Sequence, residues 1–286
     1  DSLMPDRPEF EFLRPKKFRI KTIKLRGQLS QGIVFPLSII GKSSSDNLEV
    51  GMDVSDIIGV KHYEKEIPLT MRGMIRGGFP GYVPQTDEPK IQNIPEVINE
   101  LKGIPCVATV KLDGTSASYI FKDNDFHICS RNNSFKLDIP ENDKVVYCII
   151  EKKYDIRKKM TEVGTNIAIQ GEIVGPGIQK NRLGLKEIDL FVFNIFSIKT
   201  QTYFSHYQVE EMCKSLGLKM VPLDSKFIFN HTIEQLLQMA NGKYEGTNNR
   251  REGIVIRPEK EMQSKVIGGR MSFKVLSNDY LLKDED

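Results

Sequence analysis

Short apolar runs separated by polar turns follow one another along most of the chain, and this pattern predicts a protein rich in strands. The run Val107–Val110 contains β-branched residues and ends at Lys111. Asp113-Gly114 follows at once, and this dipeptide is a strong signal for a tight turn. Ser118–Phe121 is a second apolar run. The pattern therefore predicts a β-hairpin whose first strand ends at Lys111.

Four predicted strands share one feature, a single charged residue among apolar neighbours. These residues are Lys111, Glu172, Glu252 and Lys274. Glu172, for example, interrupts the strongly apolar run Ile167–Gly175. A buried charge is costly unless an opposite charge meets it, so four such charges in one core can partner one another. They predict either two structural salt bridges or a catalytic set.

Four other segments have the composition of helices. They are Glu96–Leu101, Asn142–Met160, Ser205–Leu216 and Thr232–Ala240. Ser205 and Thr232 stand at the start of their segments and are followed by acids, as at helix N-termini. Leu190–Ile198 is a nearly continuous apolar run, which predicts a strand buried on both faces.

The first part of the chain predicts a small β module. Phe18–Leu25 largely alternates apolar and basic residues, and Ile33–Leu37 predicts a second strand, placed at a sheet edge by Pro36. Too few strands are present to close a barrel. The basic residues of the first strand and its turn either form solvated salt bridges or face phosphates. They are Arg19, Lys21, Lys24 and Arg26.

Residues 64–95 are rich in proline and glycine, so they predict a connector rather than a core element. Within it, Thr86–Asn93 is typical of a turn that leads into a helix. We therefore predict three parts: an N-terminal module over residues 1–67, a connector over residues 68–95, and a larger domain over residues 96–286.

Composition narrows the classes of function. Of 286 residues, 39% are hydrophobic and 28% charged, which is ordinary for a soluble globular protein. A net charge of +3 excludes a strongly basic tail but allows a local basic groove. Four cysteines and four histidines are scattered without a CxxC pair, so we expect no zinc site and buried free thiols in a reducing compartment. No apolar run approaches the roughly 20 residues of a membrane span. With no visible signal peptide, we expect an intracellular protein, cytoplasmic or nuclear.

Six segments resemble, in order, the motifs of the covalent nucleotidyltransferases, which comprise ATP-dependent ligases and GTP-dependent capping enzymes. The similar segments are Lys111-Leu112-Asp113-Gly114 (motif I), Ser130-Arg131-Asn132 (the next motif), Glu172 (motif III), Phe191–Phe196 (motif IIIa), Glu252–Val255 (motif IV) and Phe273-Lys274 (motif V). A single KxDG is a weak signal, but the six in family order over about residues 85–283 are specific.

A closer resemblance is to RNA ligases of the Naegleria and Deinococcus type, which carry an OB-like domain before the catalytic domain. Leu25–Gly32 is similar to part of that leading domain, and Gln170-Gly171-Glu172 and Ser272–Asn278 also fit this type. The chain begins at Asp1 without methionine, so we expect a fragment with a partial OB-like module. Only twelve residues follow Lys274, and we therefore expect no trailing OB domain of the kind found in DNA ligases and capping enzymes.

The resemblance implies an α+β fold: a nucleotidyltransferase (ATP-grasp-like ligase) domain of antiparallel sheets with flanking helices, preceded by the partial OB-like module. It implies that residues 96–286 are the catalytic domain and that the connector, residues 68–95, contributes to the nucleotide pocket. It implies an ATP-dependent RNA ligase that joins 3′-hydroxyl and 5′-phosphate ends through lysyl-AMP, with Mg²⁺ or Mn²⁺ as cofactor. The partner would be RNA with a nick or broken strand ends.

The resemblance also implies roles for individual residues. The implied catalytic residues are Lys111, Asp113, Glu172, Glu252 and Lys274. The implied nucleotide-binding residues are Lys90, Gly114, Arg131, Asn132, Phe193, Val255 and Arg270. Among these, Asp113, Glu172 and Glu252 would hold the metal ion through water, and Phe193 and Val255 would sandwich adenine. Lys90 follows Pro89, a departure from the family pattern at this contact.

The chemistry sets a requirement on the lysine. At an ordinary pKa near 10.4, roughly one lysine in a thousand is neutral at pH 7.4, so a nucleophilic lysine needs a nearby cation or metal ion that lowers its pKa. Two alternatives stay open at this point. One is a non-catalytic RNA-binding protein on a ligase fold, and the other is a GTP-dependent capping-type guanylyltransferase.

Overall fold

The computed structural model describes residues 2–3, 8–16, 18–20, 22–25, 28–30, 32–40, 48–62, 73–164 and 166–283. The chain divides into two compact units. The first comprises Asp1–Pro68 with Leu281–Asp286, and the second comprises Leu69–Tyr280. None of the helices formed by the described residues is long and apolar enough to cross a membrane.

The strands of the described residues are numbered here in chain order. They are β1 Ser2–Leu3, β2 Arg19–Ile20, β3 Ile23–Leu25, β4 Gln28–Ser30, β5 Lys61–His62, β6 Ile75–Gly78, β7 Pro105–Lys111, β8 Thr115–Lys122, β9 Asp125–Cys129, β10 Asn133–Phe135, β11 Ile167–Val174, β12 Asp189–Ser197, β13 Thr202–Tyr203, β14 Lys219–Met220, β15 Leu223–Ile228, β16 Gly253–Pro258, β17 Gln263–Ser264, β18 Gly269–Arg270 and β19 Phe273–Leu276.

The helices are numbered in the same way. The α-helices are α1 Ser55–Ile58, α2 Val97–Leu101, α3 Val146–Tyr154, α4 Ile156–Val163, α5 His206–Leu216, α6 Ile233–Ala240 and α7 Asn278–Lys283. Four further segments are 3-10 helices: Pro8–Lys16, Leu37–Ile40, Ile91–Asn93 and Pro140–Lys144.

The first unit contains two small antiparallel sheets, β2-β1-β5 and β3-β4, around a core that includes Phe10 and Leu13. The single strand predicted over Phe18–Leu25 is therefore wrong, because its residues form β2 and β3 in different sheets. The strand predicted over Ile33–Leu37 is also wrong. The Pro36 carbonyl accepts a hydrogen bond from Ile39 N–H, as a 3-10 helix begins at Leu37. Proline is well suited to the start of a helix, because the N–H groups there have no partner within the helix and a residue without an N–H forgoes no hydrogen bond.

The four basic residues predicted to face phosphates belong to this unit. Lys21 and Arg26 lie outside the described residues. Arg19 and Lys24 lie on β2 and β3, where the structure describes only their backbone. Their proposed contact with RNA stays a prediction.

The second unit is built on two sheets. The larger has eight strands in the order β13-β12-β11-β8-β9-β10-β6, with β14 pairing parallel to β12, and the smaller has the order β15-β7-β16-β19. Apart from β14, their pairings are antiparallel. The connector predicted to lack core elements thus contributes β6 to the larger sheet. A hairpin of β17 and β18 completes the unit.

The predicted hairpin around Asp113-Gly114 is wrong, although both of its strands exist. β7 pairs with β15 and β16 in the smaller sheet, whereas β8 pairs with β9 and β11 in the larger one. The residue between them that decides this is Leu112, which is buried in an apolar cluster with residues of both sheets. Burial of the Leu112 side chain thus favours a chain that crosses from the smaller sheet to the larger one, and this outweighs the preference of Asp113-Gly114 for a tight turn.

Helices cover each sheet. α3, α4 and α5 pack on the larger sheet, and α2 and α6 pack on the smaller one. The helix predicted over Asn142–Met160 is interrupted at Asp155, whose φ of +50° ends α3 in the left-handed conformation. The helices predicted from Ser205 and Thr232 are confirmed, and both residues form capping boxes. The four cysteines are free and buried, as expected.

One glycine tests how tightly the smaller sheet is built. Gly253 opens β16 with a φ of +154°, and a Cβ there would lie 2.1 Å from the Val275 carbonyl oxygen of β19. Gly253→Ala should therefore lower the free energy of unfolding by about 2 kcal/mol or more, because the backbone must move. Thermal and urea unfolding would measure this. Gly269→Ala is the control, since a Cβ there meets no atom within 4 Å. Equal losses for the two variants would contradict the argument.

Candidate active site

The lysine predicted at a strand end lies there, as the last residue of β7. Its Nζ is 2.7 Å from Oε2 of Glu252. Strand register explains this contact. Gly253 of β16 stands opposite Lys111, so the preceding Glu252 is delivered to the lysine as the antiparallel pair ends. The ion pair is thus a direct consequence of how β7 and β16 pair.

A buried tyrosine fixes the backbone of the same two residues. The Tyr244 hydroxyl donates to the carbonyl oxygen of Lys111 at 3.1 Å and accepts the N–H of Glu252 at 3.2 Å. Tyr244 comes from the segment after α6 and is 4% exposed. The sequence analysis did not single it out, because nothing near it in sequence marks a functional residue.

The charges around Lys111 raise its pKa, whereas a nucleophilic lysine needs a lowered pKa. Burial by itself would lower the pKa of Lys111, but the negative charges of Glu252 and Glu172 outweigh it and hold that pKa above its ordinary value. The lysine is therefore protonated in this arrangement. It can lose its proton readily only when another cation engages these carboxylates.

Glu172 lies on β11, and its carboxylate accepts a hydrogen bond from the backbone N–H of Gly114. Burial raises the pKa of Glu172 to about 8, with Lys111 opposing the shift and Glu252 adding to it. Gly114 makes the approach possible, since a Cβ there would lie 2.2 Å from the Ile173 carbonyl oxygen. This glycine is therefore required by backbone packing, whatever it contacts in a ligand.

Asp113 is paired with a residue that the sequence analysis did not assign. Arg182 Nε lies 3.1 Å from Asp113 Oδ2, and both side chains are 12% exposed. Arg182 also stacks on the ring of Tyr280, and nearby Gln179 donates to the Gly114 carbonyl oxygen at 3.2 Å. The segment between β11 and β12 therefore braces the turn that follows Lys111.

Lys274 of β19 and Arg131, in the turn between β9 and β10 of the larger sheet, share one carboxylate. Asp87 Oδ2 is 2.9 Å from Arg131 Nη2, and Asp87 Oδ1 is 3.4 Å from Lys274 Nζ. Lys90 lies beside them, because it forms a backbone bridge with Lys274. Burial lowers the pKa of Lys274, Asp87 opposes this, and the positive charge of Lys111 lowers it further. A second negative group near these cations would be stabilised.

The two residues expected to sandwich adenine lie on different sheets. Phe193 of β12 is half-buried and packs with an apolar cluster that contains Val110 and Leu112. Val255 of β16 is half-buried and stands opposite Lys274 of β19. Both side chains therefore remain partly accessible, as a base-binding role would require, and Val255 lies on the strand that pairs with β7.

Arg270 and Asn132 are engaged by protein side chains. Arg270 donates to Glu261 at 2.8 and 2.5 Å and to Asn194 at 2.7 Å, and it lies 3.9 Å from the ring centroid of Tyr203. Asn132 Oδ1 accepts from Gln85 of the connector at 3.5 Å. A direct contact of either residue with a nucleotide stays a prediction.

The carboxylates were tested for their fit to a metal ion. Within the described parts of the chain, no three His, Cys, Asp or Glu side chains are arranged to ligate a metal directly. However, burial raises the pKa of Glu172 to about 8, so the cations around this carboxyl group are too few to keep it ionised at neutral pH, and a bound divalent ion would supply the missing positive charge. Magnesium keeps several of its waters and is bound through few carboxylates. Glu172, Glu252 and Asp113 therefore fit a hydrated divalent ion.

The profile of the RNA ligase family matches residues 104–276, which is more than half of the chain. The profile of an OB-fold domain matches residues 1–37. The predicted fold, a ligase catalytic domain preceded by an OB-like module, is confirmed.

Solved structures of Naegleria gruberi RNA ligase are similar over nearly the whole chain. A glutamate-to-alanine variant with ATP and Mn has a TM-score of 0.86 and 31% identity, covering 100% of this chain and 85% of that chain. A lysine-to-alanine variant with ATP and Mn has a TM-score of 0.85 and 32% identity, covering 100% and 84%. The ligase with PPi has a TM-score of 0.84 and 31% identity, covering 98% and 83%.

A comparison with curated proteins finds no match. The family profile and the solved structures nevertheless agree with each other, and both include the strands that carry Lys111, Glu172, Glu252 and Lys274. This chain belongs to the RNA ligase family.

Proposed function

We propose that this chain is an ATP-dependent RNA ligase that forms a lysyl-AMP intermediate on Lys111 and seals RNA 3′-hydroxyl and 5′-phosphate ends. The observation that carries the proposal is the contact of Lys111 with Glu252 beside Glu172, at the end of a strand of the smaller sheet. The similar Naegleria gruberi ligase has been solved with ATP and Mn and with AMP and Mn, which supports the choice of nucleotide.

In the first step Lys111 acts as the nucleophile. Its Nζ, once deprotonated, attacks the α-phosphorus of ATP, and the bond from that phosphorus to the bridging oxygen of pyrophosphate breaks. An N–P bond forms, pyrophosphate leaves and AMP stays on the lysine. Tyr244 contributes by fixing the backbone of Lys111 and Glu252, so the nucleophile is held in position before it attacks.

Glu172, Glu252 and Asp113 would hold a hydrated Mg²⁺ or Mn²⁺, with Lys111 released from Glu252 in exchange. When bound, the divalent ion supplies positive charge that favours a neutral lysine and stabilises the phosphate oxygens. This exchange reconciles the raised pKa of Lys111 in the present arrangement with its role as a nucleophile.

Cationic side chains would bind the phosphate oxygens. Lys274 and Arg131 are the best placed, and Lys90 adjoins Lys274 through the backbone. The connector, residues 68–95, would therefore form part of the nucleotide pocket. Phe193 and Val255 would contact the two faces of adenine.

Two further steps complete the reaction. The RNA 5′-phosphate attacks the lysyl-AMP phosphorus, the N–P bond breaks and an adenylylated RNA end forms. The 3′-hydroxyl then attacks the 5′-phosphate of that end and AMP leaves. Labelled ATP or GTP followed by a denaturing gel tests the proposal. A GMP adduct would favour the capping-type alternative, and RNA retention without any adduct would favour a non-catalytic RNA-binding protein.

Lys111→Met should abolish the AMP adduct, because methionine has similar length but no amine. The variant should still seal RNA that has been adenylylated chemically, since those steps need no lysine nucleophile. Gel detection of the adduct and of the joined strand measures both results. Lys226→Met, on the exposed face of the edge strand β15, is the control and should keep both activities. Adduct formation by the Lys111 variant would refute the assignment.

The Glu172→Gln variant distinguishes the effect of Glu172 on the rate of adenylation from its effect on the stability of the fold. The folded-state pKa of Glu172 is about 8, above its ordinary value of 4.5, so its stabilising contribution is present at low pH and is lost as the pH rises through about 8. The neutral glutamine lacks this loss, so the Tm of the wild type should fall relative to the variant between pH 6 and pH 9. Adenylation by the variant should slow by about a hundredfold, the size seen for one electrostatic stabiliser.

Thermal scans and single-turnover adenylation at both pH values measure the two effects. A purely structural Glu172 predicts the opposite outcome, in which the variant loses Tm at every pH and keeps its rate in the folded fraction.

The strand that supplies the 3′-hydroxyl should need ribose at its end. The 2′-hydroxyl lets a protein distinguish RNA from DNA at a given site, and one lost hydrogen bond in a buried site lowers the rate by about tenfold. Sealing rates on nicked duplexes that differ only in the terminal sugar test this, with Lys111 adenylation as the internal control. Equal sealing of RNA-ended and all-DNA nicks would overturn the RNA preference and leave the nucleotidyl transfer intact.

A further inference from the structure

A carboxylate that the mechanism does not use lies on the two cations assigned to phosphate. Asp87 Oδ2 is 2.9 Å from Arg131 Nη2, and Asp87 Oδ1 is 3.4 Å from Lys274 Nζ. The Asp87 side chain is 54% exposed, so neither packing nor burial requires an acid at this position. Its two oxygens span Lys274 of β19 and Arg131 in the turn between β9 and β10, as two oxygens of a phosphate would.

The backbone on both sides of Asp87 is anchored. Before it, the Thr86 hydroxyl bonds to that of Ser116 at 2.5 Å. After it, Glu88 pairs with buried Arg257 at 3.1 Å, and the Pro89 carbonyl oxygen accepts from Lys274 N–H at 2.9 Å. The connector is therefore held against both sheets, and it presents the half-exposed side chain of Asp87 to the two cations.

Carboxylates and phosphates compete for the same donors. Arginine and lysine bind both through charge-assisted hydrogen bonds, and one set of N–H groups cannot serve two anions fully. A phosphate that reaches Arg131 and Lys274 must therefore displace Asp87 or accept its repulsion. Either event costs binding free energy.

We propose that Asp87 is an affinity-determining residue that competes with ligand phosphates for Arg131 and Lys274. This inference rests on the proposed function, which makes these cations part of the nucleotide site. The competition weakens the binding of each phosphate-bearing ligand, including the products pyrophosphate and AMP. Asp87 thus favours product departure at the expense of ATP affinity.

Asp87→Asn is the direct test, since asparagine keeps the shape and removes the charge. Calorimetric titration with pyrophosphate should show binding about threefold to tenfold tighter than in the wild type, and the KM for ATP in adenylation should fall by a similar factor. The size follows from two partly exposed ion pairs, each of modest strength. Adenosine, which has no phosphate, should bind both proteins equally.

Three comparisons exclude a general charge effect. Asp87→Glu keeps the charge and should retain affinity near that of the wild type. Asp138→Asn removes the charge of an exposed aspartate whose ion-pair partner, Arg157 at 3.2 Å, is neither of these cations, and it should leave pyrophosphate binding unchanged. In an Arg131→Ala background, Asp87→Asn should tighten binding less, because one of the contested donors is gone.

The opposite hypothesis is that Asp87 positions the two cations for phosphate, and it predicts weaker pyrophosphate binding by Asp87→Asn. Weaker or unchanged binding would overturn the proposal. Pyrophosphate binding needs no covalent chemistry, so the two proposals fail separately. Tighter binding without any AMP adduct would refute the ligase mechanism alone, whereas a normal adduct with unchanged binding would refute the competition alone.

Discussion

The ion pair between Lys111 and Glu252 is the interaction on which the site depends. It exists because β7 and β16 pair in a register that sets Gly253 opposite Lys111, and Tyr244 then bonds to the backbone of both residues. A partly buried pair of this kind is costly to break from one side, since the remaining charge loses its partner. The same pair favours the protonated lysine, because the negative charges of Glu252 and Glu172 outweigh burial and hold the pKa of Lys111 above its ordinary value.

The chain crosses from the smaller sheet to the larger one directly after Lys111, and this crossing brings Glu172 of the larger sheet into the site. After Lys111 the chain leaves the smaller sheet, buries Leu112 between the two and enters β8 of the larger one. That route brings Gly114 close enough to β11 for its N–H to bond to Glu172. One short segment therefore connects the proposed nucleophile on one sheet with a carboxylate on the other, and Arg182 holds Asp113 of that segment in place.

The cationic side of the site is organised by the connector. Asp87 joins Arg131 and Lys274, and the neighbouring Glu88 is fixed by Arg257, which also donates to the Phe193 carbonyl oxygen at 3.1 Å. The buried guanidinium of Arg257 thus connects β12, which carries the proposed base-binding residue Phe193, to the connector at Glu88, next to the proposed phosphate-binding residues. Base and phosphate contacts would then respond together to movement of this segment.

The sequence by itself determined the strands that carry Lys111, Glu172 and Lys274, most helices of the second unit and the order of the charged motifs, because apolar runs, capping residues and glycine spacing are local properties. It placed Lys111 at a strand end and predicted partners for four buried charges. Only the tertiary structure decided which partners meet: the predicted hairpin does not form, Asp113 pairs with Arg182, and Asp87 and Tyr244 enter the site. The direction of the Lys111 pKa shift was also decided there. Strand pairing and the balance of burial against charge depend on residues far apart in the chain, which local spacing does not encode.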